Sequence, residues 1–150
     1  MKCAIMQPTY FPWCGYFNLI SKSNVFVFLN DAQYSKGSWH NRNIIIVNNN
    51  KYTLTVPTIK SPLSTSIVNK LVDNSINWQK KQAKMIMQAY SKHPFVEDLQ
   101  LLIDFFEKLN FQNLSELNTA IIKFISKKLN IKTNFLYSND LNLIDKRTTK

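Results

Sequence analysis

Two short apolar runs near the start of the chain predict neighbouring buried strands. The first covers residues 3–6, and the second covers residues 25–29 and is continuously apolar rather than alternating. A continuous apolar run is typical of a strand that is buried on both faces, as in a parallel sheet. An apolar segment over residues 17–20 lies between the runs at helical spacing. The pattern therefore predicts a parallel βαβ unit over residues 2–29.

The apolar pattern after this unit predicts a hairpin and then three helices. Residues 44–47 and 52–56 are rich in β-branched and aromatic side chains, and the three asparagines between them favour a turn. From residue 77 onward the apolar spacing becomes helical and forms three successive stripes. The segment Thr133–Tyr137 predicts a strand that returns to the sheet. The predicted fold class is α/β: an N-terminal βαβ unit, an appended β-hairpin and a three-helix segment.

Proline and capping signals mark the ends of the predicted helices. Pro94 follows His93 and ends the first of the three helices, because a residue before proline avoids the helical region. Asn113 and Glu116 have the spacing of a capping box and mark the start of the third helix. His93 is therefore expected to be structural.

Polar loops follow the first two predicted strands. Parallel strands end at one edge of a sheet, where α/β proteins bind ligands, so residues 7–16 and 31–43 are expected to share a pocket. Gly15 opens the predicted first helix, whose unpaired backbone amides would suit an anionic group. A tight turn with aromatic side chains covering the core explains the first loop equally well.

The second loop and the helix start contain the candidate reactive side chains. Asp31 follows the second strand and could bind a hydroxyl, an amine or a metal, or could cap the next turn. His40 suits proton transfer near neutral pH, with a solvated loop histidine as the alternative. Lys36 or Arg42 could supply a cation to an anionic ligand. Cys14 could be a nucleophile, but no base is apparent, which favours a plain buried cysteine.

Composition narrows the class of protein. The chain has 150 residues, of which 45% are hydrophobic and 13% aromatic, and this predicts one domain over residues 1–150. The net charge of +10 would suit nucleic acid, an anionic membrane surface or phosphorylated small molecules. Lysines are spread along the predicted helices among Asn, Gln and Ser, which is typical of a solvated face. The sequence lacks a compact arginine cluster and a basic-aromatic RNA signature, so a nucleic-acid partner is disfavoured.

The cysteines and the N-terminus bear on metals and location. Cys3 and Cys14 have neither metal-ligand spacing nor the number needed for a disulfide framework, so no metal site is predicted. The N-terminus does not resemble a signal peptide, and no segment approaches the roughly 20 apolar residues of a membrane span. A cytoplasmic protein is therefore expected.

Several spaced motifs in order resemble the WbqC-like family. The matching segments, which extend to Asp140 and so cover most of the chain, are residues 6–17, 25–34, 38–43, 54–57 and 114–118. Members of that family are found with bacterial O-antigen and surface-polysaccharide genes, and they have been suggested to be glycine or aminoacyl transferases. The resemblance implies transfer of an acyl or aminoacyl (glycyl) group to an amino sugar or nucleotide sugar in O-antigen or lipopolysaccharide biosynthesis.

The resemblance also implies two binding loops. The first loop contributes Gln7, Pro8, Tyr10, Pro12, Trp13, Gly15 and Tyr16, and the second contributes Asp31, Gln33, Trp39, Asn41, Arg42 and Asn43. The candidate site has Asp31 and His40 as catalytic residues. The residues expected to bind substrate are Gln7, Tyr10, Trp13, Gly15, Tyr16, Gln33, Lys36, Trp39, Asn41, Arg42 and Asn43. The partners expected are a sugar or nucleotide-sugar substrate and an acyl donor. The cofactor is left open, with ATP or another nucleotide as candidates.

Two departures from known patterns qualify the resemblance. Residues 13–16 stand where nucleotidylyltransferase-type, Rossmann-like proteins carry a His-x-Gly-His signature, but both histidines are missing, so that imidazole-to-phosphate mechanism is not transferred. Relatives continue past the point that matches residues 140–150, so we expect a C-terminally truncated domain. A homo-oligomer or a partner chain could then complete the site. The alternative functions are a noncatalytic sugar-nucleotide-binding module and, third, a basic nucleic-acid binder.

Overall fold

The computed structural model describes residues 1–141 and has the α/β fold class that the sequence predicts. In this part of the chain the strands and helices are β1 Cys3–Met6, α1 Cys14–Ser21, β2 Val25–Phe28, β3 Arg42–Val47, β4 Asn50–Thr55, α2 Trp78–Tyr90, α3 Val96–Lys108, α4 Leu114–Lys128 and β5 Asn134–Tyr137, followed by a short 3-10 helix, Ser138–Asp140.

β1, β2 and β5 form a three-stranded parallel sheet in which β2 is central. Met6 pairs with Phe28, and Phe28 pairs with Tyr137, so all three strands end at the same edge. The predicted parallel pairing of the first two strands and the return of the last strand are confirmed. Phe26, Val27 and Phe28 are all buried, which explains why the second run is continuously apolar.

Helices α1 and α4 cover one face of this sheet. The buried residues of the cluster between them and the strands are Tyr16, Phe17, Ile20, Phe26, Phe28 and Ile122. The Phe28 and Phe135 rings stack with their centroids 5.3 Å apart. On the other face, Ile5 of the edge strand β1 keeps 57% of its surface exposed. The sheet is therefore packed tightly on the helical side.

β3 and β4 form the predicted antiparallel hairpin. The turn consists of Asn48 and Asn49, with φ angles of 49° and 63°. This left-handed conformation is one that asparagine tolerates better than most residues, and two such residues in succession are typical of a tight hairpin turn. Ile45 and Val47 face the core, whereas Ile44 and the other outward residues of β3 stay exposed.

The hairpin, α2 and α3 surround a second hydrophobic cluster that also holds the first loop in place. Phe106 of α3 is fully buried and lies 5.8 Å, between ring centroids, from Trp78 of α2. The Phe11 ring of the first loop packs on the Phe106 ring with centroids 5.5 Å apart, and the Tyr10 ring lies 6.5 Å from the Phe106 ring. Tyr10 and Phe11 of the first loop are thus part of this core.

Two further features agree with the sequence patterns. Asn113 caps α4, since its side-chain oxygen accepts a hydrogen bond from the Glu116 backbone N–H at 2.9 Å. Between β4 and α2 the chain is mostly loop, and the backbone N–H of Ile67 donates to the carbonyl of Ala32 at 2.9 Å. This loop is therefore hydrogen-bonded to the loop that follows β2. None of the helices described is long and apolar enough to cross a bilayer.

Candidate functional site

The carboxyl ends of the three parallel strands bring together loops that are far apart in sequence. Ser138, which follows β5, is buried and accepts a hydrogen bond from the Asn30 backbone N–H at 3.1 Å. Its hydroxyl also contacts the carboxylate of Asp31, and this fixes one oxygen of that exposed side chain. The backbone N–H of Leu29 donates to the Met6 carbonyl at 2.9 Å, so the loop after β1 starts directly beside this cluster.

The two predicted loops face each other at this edge. The Tyr10 backbone N–H donates to the carbonyl of Trp39 at 2.9 Å. The side-chain amide of Asn118, on α4, donates to the Pro8 carbonyl at 3.2 Å and to the His40 carbonyl at 2.7 Å. Because Asn118 is fully buried, its two hydrogen bonds hold the loops together.

Asn43 holds the strained bend of the first loop. Its side-chain amide donates to the Tyr10 carbonyl at 3.1 Å and to the Phe11 carbonyl. Phe11 has a φ of 45°, a left-handed conformation that is unfavourable for a bulky residue and persists only where the surroundings enforce it. The Asn43 bonds and the packing of the Phe11 ring enforce it here, and the bend turns the chain towards Trp13.

His40 joins the two loops through its ring. The Ser35 backbone N–H donates to Nδ1 at 3.4 Å, so the proton of the neutral ring is on Nε2, which lies 2.9 Å from the Gln7 side-chain oxygen. Burial lowers the pKa of His40 and favours this neutral form. Both ring nitrogens therefore make hydrogen bonds within the protein. These bonds indicate that His40 positions the Gln7 side chain.

Tyr10 and Tyr16 are buried, and each uses its hydroxyl to hold a neighbouring element. The Tyr10 hydroxyl donates to the side-chain oxygen of Gln82 at 2.6 Å, and Gln82 in turn donates to the Thr55 carbonyl at 2.7 Å. The Tyr16 hydroxyl donates to the Gln7 carbonyl at 3.1 Å. Burial raises the pKa of both tyrosines, so both stay neutral donors.

A cavity of about 320 Å³ lies where the two loops meet. It is lined by Thr9, Tyr10, Pro12, Trp13, Trp39 and Asn43. Trp13 and Trp39 are 69% and 58% exposed although they are the largest side chains in the two loops. Large aromatic faces left open around a concave site with a few polar groups are typical of a ligand pocket.

A larger groove of about 800 Å³ lies between β4 and α2 and contains none of the predicted site residues. We therefore place the candidate site at the cavity between the loops.

Gly15 is required by the position of Trp13. A Cβ atom at residue 15 would overlap the Trp13 indole, which lies across the start of α1. The Tyr16 N–H at this helix start is already bonded to the Trp13 carbonyl at 3.0 Å. The close approach at Gly15 that the sequence suggests for a ligand is thus taken by an indole. Cys14 is exposed rather than buried, contrary to the interpretation favoured from the sequence.

Four other predicted residues lie outside the cavity lining. Gln33 donates to the Leu63 carbonyl at 2.7 Å, and the buried Asn41 donates to the Val56 carbonyl at 3.0 Å. Arg42 is exposed and alternates with Asn43 along β3, so the two side chains leave opposite faces of the strand. Lys36 is exposed on the turn that follows Ser35. The structure therefore gathers Tyr10, Trp13, Trp39 and Asn43 at one pocket and these four elsewhere.

Two residues that fix the site were missed by the sequence reasoning, although a signal for both exists. Gln82 lies four residues after Trp78 on the buried stripe of α2, and Asn118 lies four residues after Leu114 on that of α4. An amide at an apolar stripe position needs a buried partner, and here the partners belong to the loops. Within residues 1–141, no group of three or more His, Cys, Asp or Glu side chains could hold a metal ion.

Comparisons with known proteins identify the family of this chain. An uncharacterized protein, Rv1507c, of Mycobacterium tuberculosis is 33% identical over 151 residues, and the match covers 99% of this chain and 65% of the relative. The chain thus spans about 65% of the relative's length. No solved structure matches, so the nucleotidylyltransferase-like architecture stays a prediction. The WbqC-like protein family model matches residues 7–150, and the chain belongs to that family.

Proposed function

We propose that this protein binds an amino sugar or nucleotide sugar between Trp13 and Trp39 and transfers an acyl or aminoacyl group, such as glycyl, to it. The observation that supports this most directly is the exposure of two indoles from different loops at one cavity. Indole faces pack against the apolar faces of sugar rings and stack on nucleobases, while Thr9 offers a hydroxyl for polar contacts.

The carboxyl edge of the sheet supplies the polar group for the acceptor. Asp31 is exposed, and its contact with Ser138 leaves the second carboxylate oxygen for an amine. In this proposal Asp31 orients the acceptor amine, and a fixed orientation contributes much of the rate enhancement in bimolecular reactions. His40 acts as a positioning residue through its contact with Gln7.

Membership of the WbqC-like family supports a role in bacterial O-antigen or other surface-polysaccharide synthesis. Such synthesis uses nucleotide-linked sugars and activated acyl groups, and both kinds of molecule suit an aromatic cavity beside a polar sheet edge. We propose that the reaction takes place in the cytoplasm. We also propose a second copy of the chain or a partner chain as a candidate contributor to the site.

A second candidate function is recognition of a sugar nucleotide without transfer. The engagement of both ring nitrogens of His40 favours this alternative, since a histidine held in this way has no lone pair ready to take a substrate proton. The two candidates predict the same binding and differ in turnover.

Tryptophan fluorescence tests the binding site. The Trp78→Phe variant removes the buried tryptophan, leaving Trp13 and Trp39 as the reporters. In this background, titration with glucosamine and with a uridine-diphosphate amino sugar should change the emission in a saturable way. Further substitution of either Trp13 or Trp39 by Phe should weaken that binding at least tenfold, whereas Tyr52→Phe, an exposed site on the hairpin, should leave it unchanged.

Mass analysis then separates the candidate functions. The sugar that binds is incubated with the full chain, glycine and ATP, or with an acyl thioester, and the product is weighed. A mass increase of one acyl or glycyl group on the sugar supports transfer, and binding without a mass change supports the recognition module. If no sugar changes the fluorescence, and the protein is instead retained on RNA or DNA in a steeply salt-dependent way, both candidates fail.

A further inference from the structure

Lys70 is a buried lysine without a carboxylate partner among residues 1–141. It is 5% exposed, and its ammonium donates to the Ile59 carbonyl at 2.6 Å and to the Ser61 hydroxyl at 2.8 Å. The ammonium also lies 4.9 Å from the centroid of the Tyr34 ring. A buried charge is normally paired with an opposite charge, so a lysine held by neutral groups alone calls for an explanation.

The surroundings of Lys70 make its ammonium lose a proton more readily than that of an exposed lysine. Burial lowers the pKa of Lys70, and the nearby positive charge of Lys36 lowers it further. Within the described part of the chain, the titratable groups that face this ammonium are Lys36 and Tyr34. A neutral amine at hydrogen-bond distance from a hydroxyl is a suitable base for that hydroxyl.

Ser61 is the exposed member of this pair. It is an exposed residue of the loop between β4 and α2, and its hydroxyl accepts a hydrogen bond from the Lys70 ammonium at 2.8 Å. Its backbone N–H makes no hydrogen bond to another group in residues 1–141. An accessible serine hydroxyl beside a buried lysine is an arrangement used for acyl transfer on several unrelated folds.

We propose that Ser61 and Lys70 form a nucleophile and base pair that accepts an acyl group from a thioester. The Ser61 oxygen attacks the carbonyl carbon and its proton passes to the Lys70 amine. The carbon–sulfur bond breaks, and Lys70 gives the proton to the leaving thiolate, so the products are an ester on Ser61 and a free thiol. The acceptor amine then attacks the carbonyl carbon of this ester. The amide bond forms as the bond between that carbon and the Ser61 oxygen breaks, and a proton of the amine returns through Lys70 to the Ser61 oxygen.

The rings of Tyr34 and His40 connect Lys70 to Gln7 at the end of the first strand. The Tyr34 ring that faces Lys70 lies 5.9 Å, between ring centroids, from the ring of His40, which contacts Gln7. This inference rests on the acyl transfer proposed above, and it adds the residue that would carry the acyl group between donor and acceptor.

Acetylation by p-nitrophenyl acetate, an activated ester, tests the pair in the full chain without a sugar. The wild-type protein should release a burst of p-nitrophenolate equal to about one per chain, and peptide mass analysis should find one acetyl group on Ser61. Ser61→Ala should abolish the burst. Ser64→Ala is the matched control, because Ser64 lies in the same exposed loop and makes no hydrogen bond to Lys70 in residues 1–141, so its burst should equal that of the wild type.

Lys70→Arg separates a base from a residue that merely holds the loop. Arginine keeps the positive charge and the donors for Ile59 and Ser61, but it does not give up its proton near neutral pH. We expect this variant to melt close to the wild type and to acetylate Ser61 about 100-fold more slowly or worse. The wild-type acetylation rate should also rise with pH as Lys70 loses its proton, and the rate of the arginine variant should lack that rise.

Two results would overturn the proposal: an acetyl group on Lys70 or elsewhere with Ser61 unmodified, or a Lys70→Arg variant that acetylates Ser61 at the wild-type rate. The test is independent of the sugar assay. Acetylation of Ser61 without any sugar binding would refute the proposed sugar site alone, whereas sugar acylation that persists in Ser61→Ala would refute the pair alone.

Discussion

The hydrogen bond between Tyr10 and Gln82 should be a measurable part of the stability of the first loop. Tyr10 is 1% exposed, and its hydroxyl is 2.6 Å from the Gln82 side-chain oxygen. Tyr10→Phe removes this donor and keeps the ring, which packs on Phe11 at 4.7 Å and on Phe106. The loss is therefore confined to one hydrogen bond and to the buried oxygen of Gln82 that it leaves without a donor.

The expected loss of stability follows from the Gln82 side-chain oxygen that is left without a donor. A buried polar atom that loses its partner costs about 1 to 3 kcal/mol, and we expect Tyr10→Phe to lower the free energy of unfolding by that amount. For a chain of this length the corresponding fall in melting temperature is about 3 to 10 °C. Gln82→Met removes the acceptor as well as the bond to the Thr55 carbonyl, so adding Tyr10→Phe to it should cost clearly less than Tyr10→Phe alone.

Urea unfolding of the two single variants and the double variant measures this coupling, which should be about 0.5 to 3 kcal/mol. Tyr52→Phe is the control, because Tyr52 is exposed on the hairpin and its change should stay within about 0.5 kcal/mol. The reasoning would be refuted if Tyr10→Phe were as stable as Tyr52→Phe, or if the effects of the two single substitutions added without coupling.

Three further predictions address the two loops. Gly15→Ala should displace the Trp13 indole and shift the tryptophan emission, yet change the melting temperature little because that indole is mostly exposed; unchanged emission would contradict the overlap. Burial lowers the pKa of His40, so below about pH 6.5 the unfolded chain binds a proton at this residue more readily than the folded chain does. The free energy of unfolding should therefore fall from pH 7 to pH 5.5, with a slope of at most about 1.4 kcal/mol per pH unit. In urea unfolding across this range, His40→Gln should lose that slope, and His93→Gln, at an exposed site, should keep it. Ser138→Ala should cost about 1 to 2 kcal/mol and speed hydrogen exchange of the neighbouring backbone amides, because it removes their acceptor; equal exchange rates would argue against that bond.

Sequence periodicity was sufficient to predict the strands and their meeting edge. The continuous apolar run before Asn30 requires neighbours on both sides, so a central parallel strand follows, and the coincidence of strand ends follows from that. The meeting of the two loops at this edge was predicted in the same way and is observed in the contact between Tyr10 and Trp39. The asparagines of the hairpin turn and the Asn113 cap were likewise local signals that needed no knowledge of the fold.

Side-chain direction was harder to predict, because it depends on where each element begins. β3 begins at Arg42, two residues before the predicted start of that strand, so Arg42 and Asn43 alternate across it instead of sharing a loop. Because of this earlier start, the Asn43 side chain contacts the first loop and the Arg42 side chain lies on the outer face of the strand. The position of the Trp13 indole over Gly15 and the burial of Lys70 depend on tertiary contacts, which a pattern of apolar positions does not contain.

The contact of Ser138 with Asp31 has a consequence for how the protein acquires its shape. These residues are 107 positions apart, so the chain between them must be closed into a loop before they can meet. Contacts of such high separation are slow to form and add contact order to the fold. We expect the edge that positions Asp31 to be completed late in folding, when the final strand docks, and a chain that ends before residue 134 to lack it even if its helices have formed.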